Sequence, residues 1–445
     1  MLKTQAYRAA ILHSLGDPQQ LGLENSYAYY PDGILVVEHG HVCDIGAASD
    51  VLARWPAGLL VTHYPQQLIS AGFIDTHLHY PQTEIIASYG AQLLDWLNTY
   101  TFPAEAQFAD PEYAAEVARF FFQQLLSNGT TSAMVFGTVH SASIEAFFTE
   151  SARLNTRMIA GKVLMDRHAP ANVLDTPESG YTQSKALIER WHQHGRQLYA
   201  VTPRFAPSSS PAQLALAGRL LNEYPNLYLQ THLSENLDEV AWVQTLFPEY
   251  SNYVDVYEHF GLLGPRSVFA HAIHLTEPEW ARIAATDSVL AFCPTSNLFL
   301  GSGLFDLTKA QQQQIRVGLG TDIGAGTSFS MLATLAEAYK VQQLQQHSLH
   351  PLYALYLATL GAARALSLDD KIGNLAIGKE ADFIVLDLQA TPLIKRRLHN
   401  TDSIIEQLFV LLMLGDDRAI SHTYIYGQCQ YQRDTAVSLT ANQHP

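Results

Sequence analysis

The sequence predicts an α/β fold: a TIM (β/α)8 barrel beside a small β-sandwich domain that the N- and C-terminal segments build together. Three observations lead there. From His77 onward, short apolar segments alternate with longer segments of helical period, the texture of a parallel sheet made of repeated strand and helix units. Up to residue 321 the strand-like segments number eight, which closes such a barrel. Histidine and aspartate recur where those segments end, at the barrel face that carries active sites.

The first candidate strand is Phe73 to His79, and the next are Thr130 to Phe136, Met158 to Met165 and Tyr199 to Phe205. Leu227 to His232, Ser267 to Ala272, Val289 to Phe292 and Val317 to Thr321 complete the set. Helices are expected between them at Glu112 to Leu126, Gln183 to His194, Ala212 to Tyr224, Asp238 to Leu246 and Glu277 to Ala285, each with apolar residues on one face. Met331 to Lys340 and Leu352 to Ala365 continue the helical pattern, and then Gly373 to Leu388 reads as turn and strand. The first ~65 residues are β-rich, with Gly33 to Val37 and His41 to Ile45 paired around the turn residues His39 and Gly40. Neither flank alone has enough strands for a stable sheet. Residues 1–67 and 375–445 are therefore assigned to one discontinuous β domain, leaving 68–374 for the catalytic barrel.

Composition excludes several classes. With 47% apolar and 15% charged residues the chain is an ordinary globule, and no run approaches the ~18 apolar residues of a membrane span. The N-terminus lacks a secretory pattern, so a cytoplasmic location is expected. Cys43, Cys293 and Cys429 are too few and too scattered for a disulfide framework or a cysteine metal cluster. A net charge of −16 opposes binding to a phosphate backbone and favours a small neutral or weakly basic ligand.

The most telling segment is Phe73 to His79, where an apolar run ends in two histidines one residue apart. Side chains two apart on a strand share a face, so His77 and His79 can reach one cation. A catalytic zinc site needs about three protein ligands and an open position for water. The fifth strand supplies His232 and the eighth Asp322, which completes a ligand set of His77, His79, His232 and Asp322. Asp322 is also placed to accept a proton from the attacking water. Three residues past His232, Glu235 is a second carboxylate able to shuttle a proton to the substrate. Its alternative role is to favour the start of the helix that follows, because acidic groups suit a first turn; closeness to a ligand strand favours catalysis. The sixth strand ends at His271 or His274, His271 being either a direct ligand or a group that orients the water, and His274 structural. A two-metal site would call for a bridging lysine at the end of the fourth strand, where Arg204 stands instead. One metal is expected. The planar donors of Arg204 suit a substrate carbonyl, with a structural ion pair as its alternative.

On these residues the chain resembles the amidohydrolase superfamily over essentially its whole length, and within it the guanine deaminase family. The resemblance rests on GFIDTHLHYPQ (Gly72 to Gln82), LLDWLNTYTFPAE (Leu93 to Glu105), VLMDR (Val163 to Arg167), THLSENLDE (Thr231 to Glu239), CPTSNL (Cys293 to Leu298) and GLGTDIGAG (Gly318 to Gly326). It implies one Zn2+ per chain on His77, His79, His232 and Asp322, with Fe2+ or Mn2+ also compatible with such a nitrogen and oxygen set. It further implies Glu235 as proton shuttle, His271 and Asp322 as catalytic partners, and Gln82, Arg204 and Phe205 as the residues that hold a purine. His79, His232, Glu235 and Asp322 would face the same ring. The expected reaction is hydrolytic deamination of guanine to xanthine and ammonia, by a homodimer.

The sequence is compatible with two competing readings. One is a related metal hydrolase acting on a triazine, pterin or adenine derivative; the other is a barrel that has lost catalysis and serves as a scaffold, which predicts damage to the ligand set. The Leu93 to Phe108 loop, rich in aromatic and polar residues, is a candidate to close over the pocket.

Overall fold

The computed structural model describes residues 4–56, 58–90 and 92–433. The outermost parts of the expected end domain, 1–3 and 434–445, lie outside the described residues. Eight parallel strands run in sequence order around the barrel: Phe73–His79, Thr130–Phe136, Arg157–Gly161, Gln197–Pro203, Tyr228–Leu233, Ser267–His271, Val289–Phe292 and Val317–Leu319. Alternation along each strand divides the core in two. Phe73, Val135, Tyr199, Leu229 and Phe269 face the surrounding helices, whereas Ile74, Met134, Ile159, Ala200 and Val268 join a second cluster with Ala362 and Leu366.

Strands one and eight meet through a close approach that selects small residues. Thr76 Oγ1 donates to the Leu319 carbonyl at 2.9 Å, and the Asp322 amide donates to the His77 carbonyl at 2.9 Å. A Cβ on Gly318 would lie 2.2 Å from Thr76, and one on Gly320 would lie 2.9 Å from the His77 Cβ, so the glycines of VGLG are what let the two strands touch. Asp75 holds the same seam by accepting from the Thr321 amide and hydroxyl and from the His77 amide.

The end segments form one seven-stranded sheet in the order Gln428–Gln432, Ile420–Ile425, Phe383–Asp387, Val61–Ala71, Gln5–Ser14, Tyr27–Glu38 and His41–Ala47. Only the Gln5–Ser14 and Val61–Ala71 pair is parallel. Three strand spacings separate Tyr7 from Tyr424 in hydrogen-bonding order, ~14 Å across a flat sheet. Their rings are 4.9 Å apart. The sheet therefore curls over on itself, and its two halves are the layers of the expected sandwich, filled by Tyr7, Ile11, Leu35, Ile69, Phe383 and Tyr424. The hairpin at His39 and Gly40 is present, with both residues at positive φ (50° and 81°) as a tight two-residue turn requires.

Some boundaries differ from expectation for identifiable reasons. The helix expected at Leu352 to Ala365 is two, Pro351–Leu357 and Leu360–Ala365, because the Ala358 carbonyl leaves the helical ladder to accept from the Ile74 amide of strand one at 2.9 Å. The helix expected from Gln183 starts earlier, at Pro177, under a capping box made by Thr176 and Ser179. Strand three ends at Gly161, where a Cβ would lie 1.8 Å from the Ala200 carbonyl, and a short pair Val163–Leu164 continues beyond it. Among the described residues no helix is long and apolar enough to cross a membrane.

Candidate functional site

The ends of strands one, five and eight bring His77, His79, His232 and Asp322 together, with one ligand atom of each within 4.8 Å of every other. Asp322 Oδ1 lies 3.2 Å from His77 Nε2 and 3.5 Å from His79 Nε2, and the Nε2 atoms of His79 and His232 are 3.1 Å apart. Orientation comes from the backbone. The His232 Nδ1 lies 2.6 Å from the Arg204 carbonyl, which makes that nitrogen the N–H and leaves the Nε2 lone pair turned toward the cluster. Burial and neighbouring cations push His77, His79 and His232 below the ordinary imidazole range. Burial opposes charge on Asp322, but His77, His271 and His232 overcome it and hold the carboxyl down at about 2. Imidazole nitrogens converging on a carboxylate, with the buried His77 Nε2 lacking a hydrogen-bond partner, are a donor set that fits a divalent metal.

Two further groups face this cluster. Glu235 Oε2 and Asp322 Oδ2 lie 3.5 and 3.8 Å from His271 Nε2. The opposite nitrogen, Nδ1, sits 2.9 Å from Asn297 Oδ1, so it carries the proton and Nε2 is the open position of the ring. Burial pushes Glu235 well above the ordinary carboxylate range, and the negative charges of Asp322 and Glu239 add to the effect. Its alternative role as a helix cap is taken by other residues. The helix Leu237–Leu246 is capped by Asn236, and Glu239 accepts from the amides of Glu235 and Asn236 at 2.8 and 3.1 Å. His271 and Asp322 have φ of 71° and 52°, left-handed conformations that non-glycine residues seldom adopt and that cluster at functional sites. His274 stands apart, with Nε2 donating to the Ser302 carbonyl at 2.8 Å, as a structural residue would.

Gln82, Arg204 and Phe205 line the same pocket as His79, His232, Glu235, His271 and Asp322. Gln82 belongs to the short turn Tyr80–Ile85 after strand one, and Arg204 and Phe205 follow strand four directly. The 93–108 segment is not an open loop. It folds as short helical turns, Leu93–Trp96, Leu97–Thr101 and Phe102–Ala106, the middle one an i→i+5 turn of a kind often found at functional sites. Leu93, Trp96 and Leu97 line the pocket, and Gln92 Oε1 accepts from Asn236 Nδ2 at 3.0 Å, which ties this segment to the turn after strand five.

Residues 68–429 match the amidohydrolase family. The chain belongs to the amidohydrolase family. It is 53% identical to a guanine deaminase of Escherichia coli (strain K12) over 424 residues, 95% of this chain and 96% of that protein. Among solved structures it superimposes on E. coli guanine deaminase with a TM-score of 0.95 at 52% identity, covering 97% of this chain and 100% of that one. A guanine deaminase from C. acetobutylicum, solved with guanine in its active site, gives 0.86 at 28% identity, covering 96% and 100%.

Within this amidohydrolase site, the sequence left several residues unassigned. Asn297 sits in the CPTSNL stretch, and the asparagine beside a strand-seven end was its only signal. Phe136 closes the base of the cluster, its ring 5.1, 4.6 and 4.8 Å from those of His77, His79 and His232. As the last residue of an apolar strand it carries no polar signal at all. Glu105 is fully buried and holds Arg204 and Gln82 from behind the pocket.

Proposed function

We propose that this chain catalyses the hydrolytic deamination of guanine to xanthine and ammonia, with one zinc ion held by His77, His79, His232 and Asp322. The observation that carries the reading is end-to-end similarity to the E. coli guanine deaminase at 53% identity, joined to a ligand cluster that retains every member. Fe2+ or Mn2+ would suit the same donors. A divalent ion bound there supplies Lewis acidity that brings the pKa of water toward ~7.

The protein groups divide the proton work. Asp322, ionised, accepts a proton from the water that adds to C2 of the base, and His271 holds that water through the open Nε2. Glu235, protonated by virtue of its burial, delivers a proton to the ring nitrogen beside C2 as the C2–O bond forms. As C2–N breaks, the new hydroxyl gives up its proton to become the carbonyl. The hydroxyl proton passes through Glu235 to the departing amine, which leaves as ammonia, and the proton held by Asp322 returns Glu235 to its protonated form, so one water is consumed, both carboxyl groups are restored and xanthine keeps the ring proton. Arg204 offers donors to the 6-carbonyl, Gln82 its amide to the ring edge, and Phe205 an aromatic face. His79 and His232 border the same ring. The net charge of −16 supports a free purine base rather than nucleic acid as ligand; a cytoplasmic homodimer is the expected form.

Ammonia and xanthine release from guanine by the purified chain tests this, with adenine, cytosine, 8-oxoguanine and ammeline as comparison substrates. Turnover of guanine above the others is expected. Release from adenine but not from guanine would overturn the assignment.

A further inference from the structure

One carboxylate lies behind the pocket and touches none of the metal-binding group. Glu105, on the short helix Phe102–Ala106, is 0% exposed. Its Oε1 accepts from Arg204 Nη1 at 2.8 Å and from Gln82 Nε2 at 3.2 Å, and its Oε2 accepts from the same Nη1 at 2.9 Å. Gln82 Oε1 in turn accepts from the Gly324 amide at 3.2 Å. The guanidinium also rests over the Phe102 ring at 5.6 Å, one turn back on the same helix.

These contacts fix two polarities. An ionised carboxylate only accepts and a backbone amide only donates, so the Gln82 side chain cannot flip without setting oxygen against oxygen and N–H against N–H. Arg204 uses only Nη1 within the protein among the described residues, leaving Nε and Nη2 with donors to offer. Because both side chains are tied to the same oxygen, their remaining N–H groups are neighbours. A base edge that presents two adjacent acceptors, a carbonyl oxygen and an unprotonated ring nitrogen, meets matching donors there; an edge with an amino group meets donor against donor.

Building on the functional reading above, we propose that Glu105 is a positioning residue that sets base specificity, by holding Arg204 and Gln82 as a fixed pair of donors. It contacts no reacting atom. Its contribution is to binding and alignment.

The test uses the full metal-loaded chain with guanine as substrate and xanthine as ligand. In Glu105→Gln, metal content is expected to match wild type and the thermal midpoint to fall, because the buried guanidinium of Arg204 loses its charged partner, while KM for guanine and the xanthine dissociation constant of the folded protein rise about tenfold or more and kcat changes less than about threefold. In a Gln82→Ala background the same substitution is expected to cost much less, because the two residues act as a unit. A fall in kcat with KM unmoved, or losses that simply multiply in the double variant, would overturn the proposal. Should Glu105→Gln fail to fold, Glu105→Asp keeps the charge but shortens its reach by one methylene. The same KM-weighted loss is expected, and a wild-type KM in that variant overturns the proposal. A wild-type chain inert toward guanine would overturn the functional reading and this inference together, whereas an active wild type with unaffected variants would overturn the inference alone.

Discussion

The two ends of the barrel bury charge in opposite ways. At the N-terminal end of strands three and four, Arg157 and Arg196 meet Glu380 and Asp382, which precede the strand Phe383–Asp387 of the curled sheet. Each charge there has an opposite partner, and the network extends to the backbone: Arg196 also donates to the Asn155 carbonyl at 2.6 Å, and Asp382 accepts from the Tyr426 amide at 2.8 Å. At the C-terminal end, His77 Nε2 and His271 Nε2 are buried without a hydrogen-bond partner. Burying polar atoms unpaired costs stability, so the difference separates the end that joins two substructures from the end kept open for a ligand.

The widest gap between the two ends should appear in turnover. Glu235→Gln keeps the shape of the side chain and removes its proton chemistry, so ammonia release from guanine should fall about 10²–10⁴-fold. Metal content should stay at the wild-type level, and an active variant would remove the shuttle role. Arg196→Met tests the other end. It strands Glu380 and Asp382 in a buried setting and should lower the unfolding free energy by about 3–5 kcal/mol. Denaturant titration reads that loss, and kcat of the folded protein should not change; a large loss of kcat would mean the two ends are coupled. Between these extremes, Asn297→Ala frees the tautomer of His271 and should reduce turnover about 10–100-fold with stability little altered. A variant as active as wild type would show that Nε2 needs no help to stay open.

Legibility in the sequence followed the same division. The open end was readable because the ligands sit at or just past the ends of three apolar strands, where His77, His79, His232 and Asp322 have no structural reason to be. Strand one was placed to the residue for that reason. Glu105 was not readable, since its meaning depends on Gln82 and Arg204, 23 and 99 residues away, arriving at one carboxylate. The ion pairs at the closed end were hidden in the same way, with Arg157 and Glu380 separated by 223 residues. The broken helix at Ala358 shows the third case: its local pattern is continuous, and a strand-one amide overrides it.

His13 offers a finer comparison, because it shares burial with the site imidazoles but has a partner that satisfies it. It is 3% exposed, and its Nδ1 accepts from the Leu375 amide at 3.4 Å, where the two end segments meet. Burial, helped by the charge of Lys379, brings its pKa down to about 4, against about 6.5 in the unfolded chain. As pH falls, the unfolded chain takes up this proton first. The stabilisation from keeping His13 neutral is therefore complete above about pH 6.5 and is lost progressively toward pH 4, by about 1 kcal/mol at pH 5.5. In His13→Gln that part of the acid sensitivity should vanish, so the stability gap between wild type and variant should narrow from pH 7.5 to pH 5.5. Denaturant midpoints at the two pH values measure it. A gap independent of pH would mean that His13 is held by packing alone, and that a satisfied buried imidazole carries no more titration energy than an apolar side chain.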